Sequence, residues 1–299
     1  MDYKIKLATL IQQGCLISPC TTQRLHYTAD RTQLISADGQ DTFPLHDNSV
    51  PVILPDATAM ANYAATSRTM NREYSSSFLA NERRGVMGWL RSLKAKDYRS
   101  PAAITAINRL LDSIDDTQVA IAIGGGPHRH SEKLLNLNIG PFPNVDIVGD
   151  AHALPLADNT VDMIECSAVL EHLHTPERAV SEMYRVCKPG AKLFVATPFV
   201  QSYHGYPYHY QNYTVTGHTQ LFEQAGFKII EQGACVGPTY TIMHLTLTYL
   251  MTYPPKILRL PLTLLWGCIM VLLKPLDIIL NKRTDAHLLA STTYLVATK

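Results

Sequence analysis

Apolar residues along this chain fall into three textures. From residue 119 onward, the apolar run 119–123 and the short runs 135–139, 145–148 and 161–166, which Asn, Asp or Glu interrupt, have the length of strands. The unbroken run 119–123 fits a strand covered on both faces, as in a parallel sheet. Helical periods stand between and after them. The helix 177–187 buries Ala179, Val180, Met183 and Val186, opens at Thr175-Pro176 and is stopped by Lys188-Pro189-Gly190. A second helix, 214–225, ends at Gly226, and strands are predicted at 192–197, 227–231 and 288–298. Alternation of this kind predicts a doubly wound α/β sheet with right-handed crossovers.

The second texture, 16–55, shows short β-like runs at 33–36 and 50–54 between turn signals. Residues 57–116 are rich in helix formers. Ser100 and Pro101 predict a helix start, with an apolar face of Ile104, Ile107, Leu110, Leu111 and Ile114. The third texture is the most apolar. Residues 232–255 carry no formal charge, and the uncharged run 260–273 is flanked by Arg259 and Lys274. A membrane-spanning helix needs about 20 apolar residues. The first run is broken by Gly233, Gly237, Pro238 and Pro254-Pro255, and the second is fourteen long. They predict a helical hairpin inserted before the last strand. It would pack over the site, touch a bilayer surface, or form a dimer interface.

The segments divide the chain into 1–58, 59–116 and 117–299, with the hydrophobic insertion at about 239–285. With 26 basic and 25 acidic residues there is no overall field to attract nucleic acid. The basic group Arg83, Arg84, Arg91, Lys94 and Lys96 reads as a solvated helix face. Tyr74 or Trp89 could cover a ligand. Six scattered cysteines without a CxxC pair, and an amino terminus unlike a signal peptide, predict a reducing, cytoplasmic setting. Peripheral membrane contact would come through the insertion.

The chemistry centres on Gly124, Gly125 and Gly126, which follow the first predicted strand of the sheet. Glycines there let the backbone turn sharply and approach a ligand. The pieces IGGGP, GDAHALPLADNTVDMIECSAVLEHL, ERAVSEMYRVCKPGAKLFVATP and LFEQAGFKII resemble the class I S-adenosylmethionine-dependent methyltransferases, in the type 11 family. The resemblance runs from residue 119 to about 232. It implies a Rossmann-like seven-stranded sheet with an antiparallel last strand, and S-adenosyl-L-methionine as cofactor. Carried over, Gly124, Gly125 and Gly126 would line the methionine and ribose. Asn138 would face the ribose hydroxyls, and Asp150 with Ala151 the adenine. Cys166 and Ser167 would run beside the methionine, with Glu171 and His172 nearby.

Three departures stand out. Family members usually have an acid where Ala122 stands and another where Asn138 stands, and 126–138 is short for a helix plus a strand. The first segment resembles a zinc-ribbon-like domain that precedes some bacterial methyltransferases, in Phe43-Pro44-Leu45 and residues 50–54. Its metal ligands are missing. Only Cys20 remains, and a structural zinc needs four donors, so no metal is expected.

Residues 198–213 pack His204 and His209 among Tyr203, Tyr206, Tyr208, Tyr210 and Tyr213. Such rings can enclose a flat acceptor or steady a sulfonium. His204, His209 and His172 are the candidates for moving a proton. His172 has a plainer reading as a helix-start residue bonded to nearby backbone. The expected function is methyl transfer to an oxygen, nitrogen or carbon of a small-molecule or lipid-like acceptor. A non-catalytic binding or scaffold protein and an RNA base methyltransferase are the alternatives.

Overall fold

The computed structural model describes residues 3–47, 49–55, 99–127, 129–204 and 208–299. Tyr74, Trp89, Tyr206 and the basic group from Arg83 to Lys96 lie outside the described residues. The chain opens with α1 (Tyr3–Gln12). A ribbon of short strands follows: β1 (Leu25–Tyr27), β2 (Gln33–Ser36), β3 (Thr42–His46) and β4 (Val50–Ile53), each antiparallel to the one before. Leu25, Leu34 and Phe43 turn inward with Leu7, Leu10 and Ile11 of α1, and they share one core with Ile121 and Leu135 of the main sheet. The Cys20 thiol lies against the Pro55 carbonyl. Among the described residues no cysteine joins a group of metal-ligating side chains.

After α2 (Pro101–Ser113) come β5 (Ala120–Ile123), β6 (Leu134–Asn138), β7 (Ile147–Gly149) and β8 (Val161–Ser167). All four are parallel and almost wholly buried. The pleat sends alternate residues to opposite faces. Ile121 and Ile123 belong to one core with Val180, Met183 and Phe222, while Ala120 and Ala122 belong to another with Ala103, Ala106 and Leu110 of α2. The buried face of α2 thus combines two alanines with Leu110. Ile104, expected inside, is 43% exposed. Ser100 caps α2 as expected, its hydroxyl accepting from Ala103 N at 3.0 Å.

α3 (Pro176–Val186) leads into β9 (Cys187–Pro198), parallel to β8. Thr175, expected to cap α3, makes no side-chain cap bond; Pro176 at the first position fixes the start instead. α4 (Val215–Gln224), β10 (Lys228–Val236), α5 (Pro238–Thr252), α6 (Lys256–Leu273), α7 (Asp277–Leu280) and β11 (Thr292–Thr298) complete the chain. β11 slots between β9 and β10, antiparallel to both.

The sheet has eleven strands in the order β1-β2-β3-β4-β7-β6-β5-β8-β9-β11-β10, not the expected seven. The reason lies at β7. Three residues long, it would leave an open edge, and β4 covers it in parallel, with Val52 opposite Val148.

The insertion is helical. Asp277, fully buried, receives Thr239 N at 2.9 Å and Tyr240 N at 2.8 Å, so it caps α5 from across the hairpin. Trp266 Nε1 donates to the Met243 carbonyl at 3.1 Å and ties α6 to α5. The helical run is longer than the sequence suggested. Lys256–Leu280 continues past the buried Lys274 for 25 residues, and its most apolar 18-residue window has a mean hydropathy of 1.9. Among the described residues it is long and apolar enough to cross a membrane, and only 17% of its most apolar window is buried.

Candidate active site

β5 ends at Ile123, and the chain turns at Gly124, whose φ of +73° favours glycine. A Cβ at Gly124 would stand 2.2 Å from Val169 Cγ2, and one at Gly125 would stand 2.7 Å from Asn136 Oδ1. The turn is therefore packed too closely for any side chain. A bulky residue at Gly124 would strain the turn before it reached a ligand.

Between β5 and β6 there is no helix among the described residues. A polar staple holds the loop instead. The Arg129 guanidinium grips the Asp146 carboxylate by two bonds of 2.7 and 2.9 Å, both groups buried. Asp146 also accepts Asn136 N at 2.8 Å, and the Asn136 amide donates to Gly126 O at 2.9 Å. Motif reasoning missed all three residues, because their role appears only once β6 and β7 lie side by side.

At the carboxyl ends of β5–β8 lies a cleft of about 400 Å³. Gly124, Gly126, Asn138, Asp150, Ala151 and His172 line it, among others. Asn138 spends its carbonyl oxygen on Gly140 N at 3.2 Å, leaving its NH2 for a ligand. Asp150 Oδ1 receives the His152 backbone N at 2.9 Å and faces His152 Nδ1 at 2.8 Å. Burial pushes the Asp150 carboxyl up, but the bonds from His152 outweigh it and hold the group below its ordinary range.

Cys166 and Ser167 are not part of the cleft lining. Cys166 is fully buried in the core, its thiol pushed up by burial, and Ser167 Oγ donates to Glu165. β8 runs on to residue 167, so Ala168 and Val169 meet the cleft in their place. Glu165 is the more telling residue. It pairs in register with Ala122 across β5 and β8, is buried, and faces His130 Nδ1 at 3.4 Å. The residue level with Ala122 on the neighbouring strand is thus an acid.

Beyond the cleft, the loop after β9 folds back over the turn after β8. Gln211 Nε2 donates to the Leu170 and Leu173 carbonyls at 2.8 and 2.7 Å, and Tyr210 N donates to Glu171 O at 2.8 Å. This clamp brings His204 and His172 to the buried Glu171 carboxylate, each Nε2 3.8 Å from Oε1. Glu171 raises the His204 pKa, outweighing partial burial. His172 Nδ1 meets the Tyr208 carbonyl at 2.7 Å, a partner distant in sequence rather than the nearby backbone expected. Both nitrogens of His209 are engaged: Nε2 with Asn212 Oδ1 at 2.7 Å, and Nδ1 with His204 N at 3.2 Å. His209 therefore steadies His204. Tyr203, Tyr208 and Tyr210 are exposed, while burial pushes the half-buried Tyr213 phenol up to about 12. The expectation of no metal rested on cysteine spacing, and these three donors form a group of another kind.

Residues 128–195 match the family model described as a methyltransferase domain. The match begins just past the glycine turn and ends within β9. Demethylmenaquinone methyltransferase of Renibacterium salmoninarum is 51% identical over 55 residues, 18% of this chain and 23% of that protein. Ubiquinone/menaquinone biosynthesis C-methyltransferase UbiE of Klebsiella pneumoniae is 42% identical over 86 residues, 26% of this chain and 34% of that protein. The chain thus spans a quarter to a third of these relatives' length. Among solved structures, phosphoethanolamine N-methyltransferase 2 of Haemonchus contortus is similar at a TM-score of 0.46 and 14% identity, over 78% of this chain and 60% of that one.

Proposed function

We propose that the chain transfers a methyl group from S-adenosylmethionine to a lipid-like small molecule presented at a bilayer surface. The observation that carries this reading is the cleft at the ends of β5–β8, where Gly124, Asn138 and Asp150 come together at successive strand ends. S-adenosylmethionine, when bound, supplies an electrophilic methyl group on a positively charged sulfur. Asp150, held ionised, offers Oδ2 to an exocyclic amine. Asn138 offers its NH2 to a hydroxyl oxygen. A non-catalytic scaffold draws support from Ala122 and Asn138.

The acceptor class follows from the hairpin. Ile257, Leu260, Leu265, Leu272 and Ile279 are each more than 60% exposed on the helical run, with Lys256, Arg259, Lys282 and Arg283 around them. Asp277 and Trp266 pin this run to α5, so it presents an apolar flank from the protein body and suits the interfacial layer of a membrane. A lipid-soluble quinone precursor, the class denoted by the relatives' names, is the first acceptor to try. Calorimetric titration of the full chain with S-adenosylmethionine tests the donor half. One molecule should bind per chain, and Asp150→Ala should weaken it by about tenfold or more, the cost of a charge-assisted hydrogen bond. An unchanged affinity in Asp150→Ala would show that the cofactor sits elsewhere.

A further inference from the structure

Three side chains bring acceptor atoms close together, and one of them, His172, lines the cleft. Glu171 is fully buried, and its Oε1 has no hydrogen-bond partner. His172 Nε2 and His204 Nε2 both lie 3.8 Å from that oxygen, beyond hydrogen-bonding distance. Each ring has its Nδ1 against a backbone carbonyl, Tyr208 O at 2.7 Å for His172 and Ser202 O at 3.0 Å for His204. A carbonyl oxygen only accepts, so each Nδ1 carries the proton and donates. In the neutral ring Nε2 is then a bare lone pair. Two such lone pairs beside a buried carboxylate repel one another and leave its charge unpaired. A proton on His204, which Glu171 favours, offsets part of this, and a metal ion between the three atoms offsets it for both rings at once.

We propose that Glu171 Oε1, His172 Nε2 and His204 Nε2 bind one divalent transition-metal ion. The three atoms lie within 4.8 Å of one another. Metal–ligand bonds of about 2.0–2.2 Å put tetrahedral ligands roughly 3.3 Å apart, so shifts of about an ångström or less bring the donors into place. Two imidazoles and one carboxylate suit Zn²⁺, Co²⁺ or Fe²⁺, whereas Mg²⁺ and Ca²⁺ take oxygen ligands. The backbone carbonyls fix the tautomer and plane of both rings, as partners of metal-bound histidines do. His209 holds the backbone of His204, its ring 4.3 Å away. With three protein ligands a coordination position stays open. His172 also lines the cleft, which puts that position within reach of an acceptor oxygen.

The site does not depend on the methyl-transfer reading, because its readout is metal content. Untagged full-length protein is stripped with a chelator, dialysed, and titrated with Zn²⁺ and with Co²⁺. One ion per chain is expected by elemental analysis, with visible d–d absorption for Co²⁺. His172→Ala and His204→Ala should each weaken binding by tenfold or more, and Glu171→Gln should abolish it. His287→Ala, at an exposed histidine, should bind like the parent. Circular dichroism reports whether each variant folds. At the same concentration Zn²⁺ should raise the Tm of the parent more than that of His204→Ala. A parent that takes up no ion overturns the proposal, and so does a folded His172→Ala or His204→Ala that binds as tightly as the parent.

Discussion

His218 shows how much a single buried group can make of its surroundings. It sits on α4, fully buried against Phe222 and Thr293, and burial drives its pKa down to about 3. The folded ring is neutral, whereas in the unfolded chain it takes a proton near its ordinary value of about 6.5. Its contribution to stability is therefore complete above that value and is lost as pH falls toward 3. The loss approaches about 1.4 kcal/mol per pH unit from this group alone. Replacing it with Phe, which cannot charge, should flatten that dependence. Denaturant unfolding at pH 7 and pH 5 should show the parent losing more stability than His218→Phe between the two, and equal losses would contradict the assignment. At this scale the sequence was uneven as a guide. Asp150 and Asn138 were legible through the resemblance, because each stands near the end of a predicted strand. Glu165 was not, because its kinship with Ala122 runs across the sheet and needs the order of β5 and β8. Glu171, His172 and His204 were each visible as polar residues near strand ends. Their convergence depends on the Gln211 clamp, which nothing in the spacing announces.

Among the elements, strands buried on both faces were legible almost to the residue, since 120–123 is wholly apolar and 134–138 sets three leucines between turns. β10 was read too short. Its first six positions alternate between exposed and half-buried, and its polar residues mimic a loop. The staple by Arg129 and Asp146 replaces a helix whose absence the short spacing did foreshadow. The hairpin was expected, but not the length of its continuous helical run, because Lys274 and Pro275 look like a stop. Pro275 instead takes the first turn of a short 3-10 segment, where it costs no hydrogen bond, and Lys274 is buried. A flank of this kind should hold the protein on vesicles. In flotation with phosphatidylcholine vesicles the parent should rise with the lipid, while a variant with Leu260, Leu265 and Leu272 replaced by Ser should stay behind. Equal flotation of the two would move the membrane contact elsewhere.

Taken whole, the molecule is a doubly wound sheet continued at one edge by an amino-terminal ribbon. The continuation was illegible, since β4 and β7 meet through backbone bonds between segments almost a hundred residues apart. Fold class, glycine turn and insertion could all be read locally; the eleven-stranded sheet and the three-donor corner could not. The layout puts the cleft, the Glu171 corner and the apolar hairpin after strands of one sheet. That arrangement is the basis for reading donor and acceptor as meeting in a single reaction. The most direct measurement follows the methyl group itself. The protein is incubated with S-adenosylmethionine carrying a labelled methyl, together with vesicles containing a demethylated quinone precursor. Label should pass into the organic phase as methylated quinone with the parent, and fall by tenfold or more with Asp150→Ala. Tight S-adenosylmethionine binding with no label in any lipid product would contradict the account and leave a protein that binds the cofactor without using it on that class of acceptor.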